Sequence, residues 1–537
     1  MGGHRQRAEQ AIGTLTSTTL RMHALLRIVQ VLLPVCALLP GTGHAQQADV
    51  TGGRITGLAM PDGSAIYYGI PYAASPAGER RWKPPAPPVP WQGVRDTTQV
   101  APACVQEDQG WNRDFLAHAQ EDCLTLSLRT PDPAGTRKLP VLVYIHGGSN
   151  AVAGAGSLAE DAIHRQGLVL VKLQYRLGVF GFMGLEALRE EDAHGSSGNY
   201  ALLDQIQGLR WIRDNIAAFG GDPDNVTISG NSAGALDALL LTLSPLADGL
   251  YHKAIIQAAA PGKPRSATEN EAIGEVVLER LALPRGAAGL ARLRVLPAAQ
   301  VIAAAKGLPV PAGVDPSFIW EQQIVDGHVL PLAYAEAYAN GAGRDLPVLI
   351  GSNRQEMGGD RSPQTAPALL ASVFGPDAAQ ARALYGITGE VPAAADPLLG
   401  NLSMQILTDT WFRCPVNWLT KKMRRNSSRI WRYEFGFGLP GTGKPPEHTS
   451  EMPYVYHATP ADAHPDTWPP VQRYWANFVR NGNPNSADLP PWPVVGADEA
   501  YLAIEPDGIT IGHALRKPIC DLMFQRQDYP GSSLMPE

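Results

Sequence analysis

Apolar and polar positions alternate in blocks rather than residue by residue along the middle of the chain. Pro140-Val141-Leu142-Val143-Tyr144-Ile145 is an unbroken apolar run of strand length that stops at His146-Gly147-Gly148-Ser149. Such a run predicts a strand covered on both faces, as in a parallel sheet flanked by helices. A second run, Val226-Thr227-Ile228-Ser229, meets Gly230-Asn231-Ser232-Ala233-Gly234 and passes into Ala235-Leu236-Asp237-Ala238-Leu239-Leu240, which predicts strand, sharp turn and helix. A third, Leu346-Pro347-Val348-Leu349-Ile350, leads to Gly351-Ser352-Asn353. Strands alternating with helices between about residues 140 and 260 predict βαβ units and an α/β fold. Beyond them, Glu275–Leu281 and Leu290–Leu293 predict helices, and Pro284, Pro309 and Pro311 predict a loop-rich zone. There is no internal repeat, heptad pattern or sustained low-complexity tract.

The turn around Ser232 carries the first chemistry. Two glycines lack the Cβ that would clash in so tight a reversal, so the serine between them is pushed to an exposed apex at the end of a strand. A G-x-S-x-G string also arises as an ordinary tight turn in a chain with 55 glycines. The loop His146–Ser149 argues for the chemical reading. A glycine-rich loop at a strand end bares N–H groups, and serine attack on a carbonyl builds negative charge that such donors stabilise. In that order along a chain, the two predict a serine hydrolase on an α/β-hydrolase scaffold.

Nearly the whole chain after its first residues resembles the type-B carboxylesterases, the family that includes the cholinesterases. The resemblance rests on Tyr68-Gly69-Ile70-Pro71-Tyr72-Ala73, Pro76–Pro85, Glu121-Asp122-Cys123-Leu124, Gln174–Phe182, Gly198–Gln205 and Phe219-Gly220-Gly221-Asp222-Pro223, together with the serine turn. It implies one large α/β-hydrolase domain over residues 46–537, with a large mixed, mostly parallel twisted sheet flanked by helices. Helical cap insertions around residues 265–345 would roof a gorge. It also implies a triad. Glu356, in Gly351-Ser352-Asn353-Arg354-Gln355-Glu356, stands at the family's acid position, and His448, in Glu447-His448-Thr449-Ser450-Glu451-Met452-Pro453, at that of the base. Outside that block a loop glutamate reads as a solvated charge, and the other histidines, His457 and His464 among them, have no motif support. By the same match the oxyanion donors are the N–H groups of Gly148, Ser149 and Ala233. The implied reaction is ester hydrolysis through an acyl-enzyme on Ser232, with no metal and no cofactor.

The chain departs from the family's pattern where substrate would lie. Ser149 replaces a glycine, Asn150 an aromatic and Asn231 a glutamate, which marks Asn150 and Asn231 as candidate substrate-pocket residues and disfavours choline esters. Gln355 and Met357 flank the acid in place of Asp and Gly. Alanines at 258–260 stand where Ser-Gly-Ser is common, which predicts a plainer set of groups supporting the triad. These departures keep two other readings open: a hydrolase specialised for amides, carbamates or bulky natural esters, and a non-catalytic binding protein of the same fold, against which all three triad residues argue. Trp111, Phe115, Trp320, Trp411 and Phe412 are candidates for the gorge wall, with core packing the plainer role for each.

Five cysteines bear on the compartment. Cys36 lies in the apolar run Ile28–Leu39, preceded by Arg27 and followed by Gly43-His44-Ala45. That is the order of a secretory signal cleaved after Ala45, too short for the ~20 apolar residues of a membrane span. The residues before Met22 are unusually polar for a leader, and Met22 is an alternative start. Four cysteines remain and three pairings are open to them. The resemblance selects Cys104 with Cys123 and Cys414 with Cys520, which predicts a secreted or periplasmic enzyme, four buried free thiols in a cytosolic one being the alternative. It also pairs Arg81 with Glu121 and Arg176 with Asp204 as scaffold. Asn225, Asn401 and Asn426 head glycosylation sequons, meaningful only in a eukaryotic secretory route, and a bacterial source is favoured. A net charge of −7 on 537 residues, 44% of them hydrophobic, gives no footprint for nucleic acid. The expected partner is a small-molecule ester, with no stable membrane anchor.

Overall fold

The three apolar runs lie side by side in one sheet. A computed structural model describes residues 46–525 apart from 313, 315–319, 321–323, 344, 358–365, 388–394 and 465. In it, parallel strands follow the order Val169–Leu173, Leu139–Ile145, Gly221–Asn231, Lys253–Gln257, Val348–Asn353, Ile430–Phe435 and Ala500–Glu505. Three of these, Lys253–Gln257, Val348–Asn353 and Ile430–Phe435, are buried along their whole length. Cover on both faces leaves no solvent side to be polar, and this is why the sequence shows runs instead of alternation. Antiparallel strands extend the sheet: Thr125–Thr130, Ala65–Pro71, Gly53–Ala59 and Gln46–Val50 on one flank, Gly508–His513 on the other. With Val94–Asp96 beside Gly53–Ala59, the mixed sheet has thirteen strands among the described residues.

Successive side chains of a strand point to opposite faces, and the core divides accordingly. Val141, Val143 and Ile145 join Leu209 of helix Tyr200–Asn215 and Leu239 of helix Ala233–Leu241 on one face. Leu142 joins Trp475 and Phe478 of helix Val471–Asn481 on the other. The helix expected from Glu275 begins earlier, at Ala267, because Ser266 and Glu269 form a reciprocal cap that satisfies the first free N–H groups. With Ala287–Arg294 and Ala298–Ala305 it buries Val277, Leu293 and Val301 against Trp82 and Phe180, whose rings stack at 5.6 Å. The described residues form one compact unit. The expected leader, Cys36 and the Ala45 cleavage point lie outside the described residues.

Cys104 is bonded to Cys123 and Cys414 to Cys520. Both family ion pairs are present. Arg81 Nε donates to Glu121 at 2.6 Å, and Arg176 donates from Nε and Nη2 to the two oxygens of the fully buried Asp204, each at 2.7 Å. Removing one partner strands the other's charge in the interior. Arg176→Ala is therefore expected to lower stability by roughly 3–5 kcal/mol in chemical denaturation, where an unchanged midpoint would contradict a structural role. Among the described residues no helix is long and apolar enough to cross a membrane.

Candidate active site

Strand Gly221–Asn231 ends at the turn that lifts Ser232. Ser232 takes φ 58° and ψ −127°, a conformation that a side chain disfavours by on the order of 1–3 kcal/mol. The flanking glycines make it possible. A Cβ on Gly230 would lie 2.1 Å from the carbonyl oxygen of Gly234, and one on Gly234 2.2 Å from that of Ile145. The Ser232 N–H donates to Gln257 O at 2.9 Å, which ties the apex to the neighbouring strand.

Glu356 and His448 come from loops 92 residues apart and meet at the same end of the sheet. His448 Nδ1 lies 2.6 Å from Glu356 Oε2. The other oxygen, Oε1, accepts the Asn353 N–H at 2.5 Å, and the His448 N–H donates to the Glu356 carbonyl at 3.2 Å. Glu356 is fully buried while the His448 side chain is 29% exposed, so the imidazole stands between a fixed carboxyl and the cavity. Phe412 rests against it with ring centroids 5.1 Å apart. Phe412 sits in the widened π-helical turn Asp409–Arg413, and its ring side faces the site while Asp409 and Arg413 pair in the core.

The loop after strand Leu139–Ile145 packs directly on the serine turn: a Cβ on Gly147 would lie 3.1 Å from Ser232 Cβ. The N–H groups of Gly148 and Ser149 have no acceptor among the described residues. Ala233, first residue of its helix, has none within that helix either. Gly148 and Ser149 line the same cavity as Ser232, and Ala233 follows Ser232 directly in the chain. Gly148 needs to be glycine, because φ is 103° and a Cβ would lie 2.2 Å from Val152 O. Ser149 and Asn150 follow it with φ of 52° and 51°, two adjacent side chains in left-handed backbone at on the order of 1–2 kcal/mol each.

That backbone corrects the expectation for Asn150. Its side chain turns inward, is completely buried, and its amide end lies 2.9 Å from Asp237 Oδ1 instead of facing substrate. Gln205 Nε2 meets the other Asp237 oxygen at 2.5 Å. Tyr175 Oη lies 2.6 Å from His146 O and 3.0 Å from Asn150 Oδ1, and its ring stacks on His146 at 4.4 Å. Burial lowers the His146 imidazole to about 4, with the Gly147 carbonyl acting weakly the other way, and this histidine is neutral. Asn231 does border the cavity, but its amide donates beneath the serine to Glu451 Oε1 at 3.1 Å.

Glu451, only three residues past His448, carries no signal in the sequence. It is fully buried and also accepts from Gln257 Nε2 at 3.3 Å and from Asn353 Nδ2 at 2.7 Å. Burial, and then the neighbouring Glu356 carboxylate, push its carboxyl above the ordinary range, while Asn353 pulls it back. Glu451 thus adds a buried support beneath the triad, and the alanines at 258–260 add no hydroxyl to it. Spacing alone gives no sign of it, because its partners come from the ends of three strands.

Ser232 and His448 open on a cavity of about 550 Å³. Trp111, Phe115, Phe412 and Met357 supply its apolar wall. Two other aromatic candidates lie elsewhere: Trp411 is buried in a separate core, and Trp320 borders a different depression behind Phe180. Among the described residues no cluster of His, Cys, Asp and Glu is arranged to hold a metal.

A strained serine that shares one cavity with unspent N–H donors and with an imidazole resting on a carboxyl suits acyl transfer to water, the work of α/β serine hydrolases. The chain belongs to the carboxylesterase family, which matches residues 44–368 and 379–523. Fumonisin B1 esterase of Sphingopyxis macrogoltabida is 35% identical over 408 residues, 73% of this chain and 71% of that one. Carboxylesterase 1C of Mus musculus is 30% identical over 547 residues, covering 94% of this chain and 96% of its own. Among solved structures, a PNB esterase superposes with a TM-score of 0.74 at 28% identity over 89% of this chain and all of its own. The protein is a carboxylic ester hydrolase.

Proposed function

We propose that the chain hydrolyses esters by a two-step acyl transfer on Ser232. Ser232 Oγ attacks the ester carbonyl carbon while His448 Nε2 takes the hydroxyl proton, and Glu356 holds the imidazole in the required tautomer and stabilises the imidazolium. The carbonyl oxygen, now negative, receives the N–H groups of Gly148, Ser149 and Ala233. The alcohol leaves with the proton from His448. Water then attacks the acyl-enzyme with the same imidazole as base, releasing the acid and returning the proton to Ser232. The observation that carries this reading is the 2.6 Å contact of His448 Nδ1 with Glu356, on a cavity that His448 shares with a serine held at φ 58°.

The substrate is an uncharged ester large enough to use the apolar wall formed by Trp111, Phe115 and Phe412. Asn231, without a charge, offers a cationic alcohol no counter-ion. The likeness to a fumonisin B1 esterase supports bulky esters within this class. Export to an oxidising compartment, after removal of the leader, is the localisation that suits two disulfides using all four remaining cysteines.

A fluorophosphonate probe tests the assignment. One equivalent is expected to abolish hydrolysis of p-nitrophenyl butyrate, and peptide mapping is expected to place the phosphonyl group on Ser232. Labelling of another serine, with activity lost, would remove Ser232 from its role. The acetate-to-octanoate series then sizes the acyl side of the cavity.

A further inference from the structure

The oxyanion donors proposed above come from two separate pieces of chain, and only a tie between those pieces fixes their spacing. Gly148 and Ser149 belong to the loop after strand Leu139–Ile145, and Ala233 opens helix Ala233–Leu241. Asn150, next to Ser149, and Asp237, in that helix, meet at 2.9 Å in the interior. Their contact is a strut joining the two halves of the hole.

The hydrogen bonds around the strut say which form of Asp237 makes it. The Tyr175 hydroxyl has one proton and lies near two acceptors, His146 O at 2.6 Å and Asn150 Oδ1 at 3.0 Å. An amide has nearly the same shape turned over. With Asn150 reversed, its NH₂ donates to Tyr175, whose proton goes to His146 O, and each contact has a donor and an acceptor. Asn150 Oδ1 then faces Asp237 Oδ1, a hydrogen bond only if that carboxyl carries a proton. Gln205 Nε2 still donates to Asp237 Oδ2 at 2.5 Å. Burial acts in the same direction and is the largest influence on the carboxyl, raising it to about 7.

We propose that Asp237, as a neutral carboxylic acid, holds the oxyanion loop through Asn150 and is a positioning residue for ester hydrolysis. Two adjacent left-handed side chains, Ser149 and Asn150, need such a hold, since the loop relaxes toward ordinary backbone without it. The strut never touches substrate. It acts by keeping the Gly148 and Ser149 N–H groups where the oxyanion forms, so it bears on the transition state more than on binding.

The inference rests on the oxyanion assignment, and the test separates the two. Asp237→Ala, Asp237→Asn and the parent are compared for kcat and KM on p-nitrophenyl butyrate, for inhibition by an alkyl trifluoromethyl ketone, and for melting temperature. In folded Asp237→Ala, kcat is expected to fall about 10- to 100-fold with KM within about 3-fold, and ketone affinity to fall in parallel. Asp237→Asn keeps one donor toward Asn150 and one acceptor toward Gln205, and is expected to restore kcat to within about 3-fold of the parent. If Asp237→Ala does not fold, Asn150→Gly serves instead, because glycine keeps the left-handed backbone while removing the side chain. Parent-like kcat and ketone affinity in either folded variant would overturn the strut. Asp237→Asn as impaired as Asp237→Ala would overturn the neutral acid. Activity in the parent that survives Ser232→Ala would instead overturn the site on which both rest.

Discussion

Ser232→Ala is expected to lower kcat for p-nitrophenyl butyrate by roughly 10⁴- to 10⁶-fold, with an unchanged melting temperature. The size follows from how the site divides its labour. Without the hydroxyl no acyl-enzyme forms, and water must attack the bound ester directly. What remains is binding and the N–H groups of Gly148, Ser149 and Ala233, a residual of about 10³–10⁴ over the uncatalysed rate in comparable sites. The serine and histidine act on one proton, so His448→Ala should cost about as much, and the double variant hardly more than either alone. Stability should not follow activity. Alanine keeps the Ser232 backbone, whose strain is set by Gly230, Gly234 and the hydrogen bond to Gln257 O. Steady-state rates, with burst kinetics to separate acylation from deacylation, check this. A folded variant keeping even one hundredth of the parent rate would assign the chemistry to another group.

Which parts of this site can be read in the residues depends on whether the cause is local. The serine turn is local: two glycines and a flanking strand and helix dictate it within a dozen residues, and the structure crowds both glycines to about 2 Å of any added Cβ. The parallel strands are nearly as plain, because cover on both faces leaves unbroken apolar runs. Glu356 and His448 are different. Nothing near either predicts that loops 92 residues apart converge, and only likeness to a family singles them out. Asn150 shows the opposite failure. Its place in the loop suggests a pocket residue, but a φ of 51° swings the side chain inward to Asp237, and backbone sign is not visible in a residue type that adopts both. Glu451 lies within the histidine block yet carries no signal there, since its partners Asn231, Gln257 and Asn353 come from three strand ends. Helix Ala267–Arg280 starts ahead of the expected Glu275 for a simpler reason: Ser266 and Glu269 are a legible cap that the hydrophobic pattern alone passes over.

Two buried carboxyls lie under the imidazole, and replacing each by its amide should separate them. Glu356→Gln is expected to lower kcat by about 10⁴-fold. Glu356 Oε1 accepts the Asn353 N–H at 2.5 Å while Oε2 meets His448 Nδ1 at 2.6 Å. An amide has one acceptor for these two donors. Placing its NH₂ against the backbone N–H of Asn353 sets donor against donor at a position that cannot move, so the NH₂ turns to His448. The imidazole then carries its proton on Nε2, facing Ser232, and cannot take the serine's. Glu451→Gln meets a softer shell. Its partners are side-chain amides of Asn231, Gln257 and Asn353, which can rotate to present oxygen in place of nitrogen. Burial and Glu356 both act against a charge on Glu451, so losing that charge removes an opposed interaction along with a favourable one. A loss of no more than about 10-fold is expected there. The pair of kcat values at one pH, with melting temperatures for both variants, decides it. If the larger loss fell on Glu451, the acid that orients His448 would be Glu451, and the 2.6 Å contact with Glu356 would be a feature of the resting site alone.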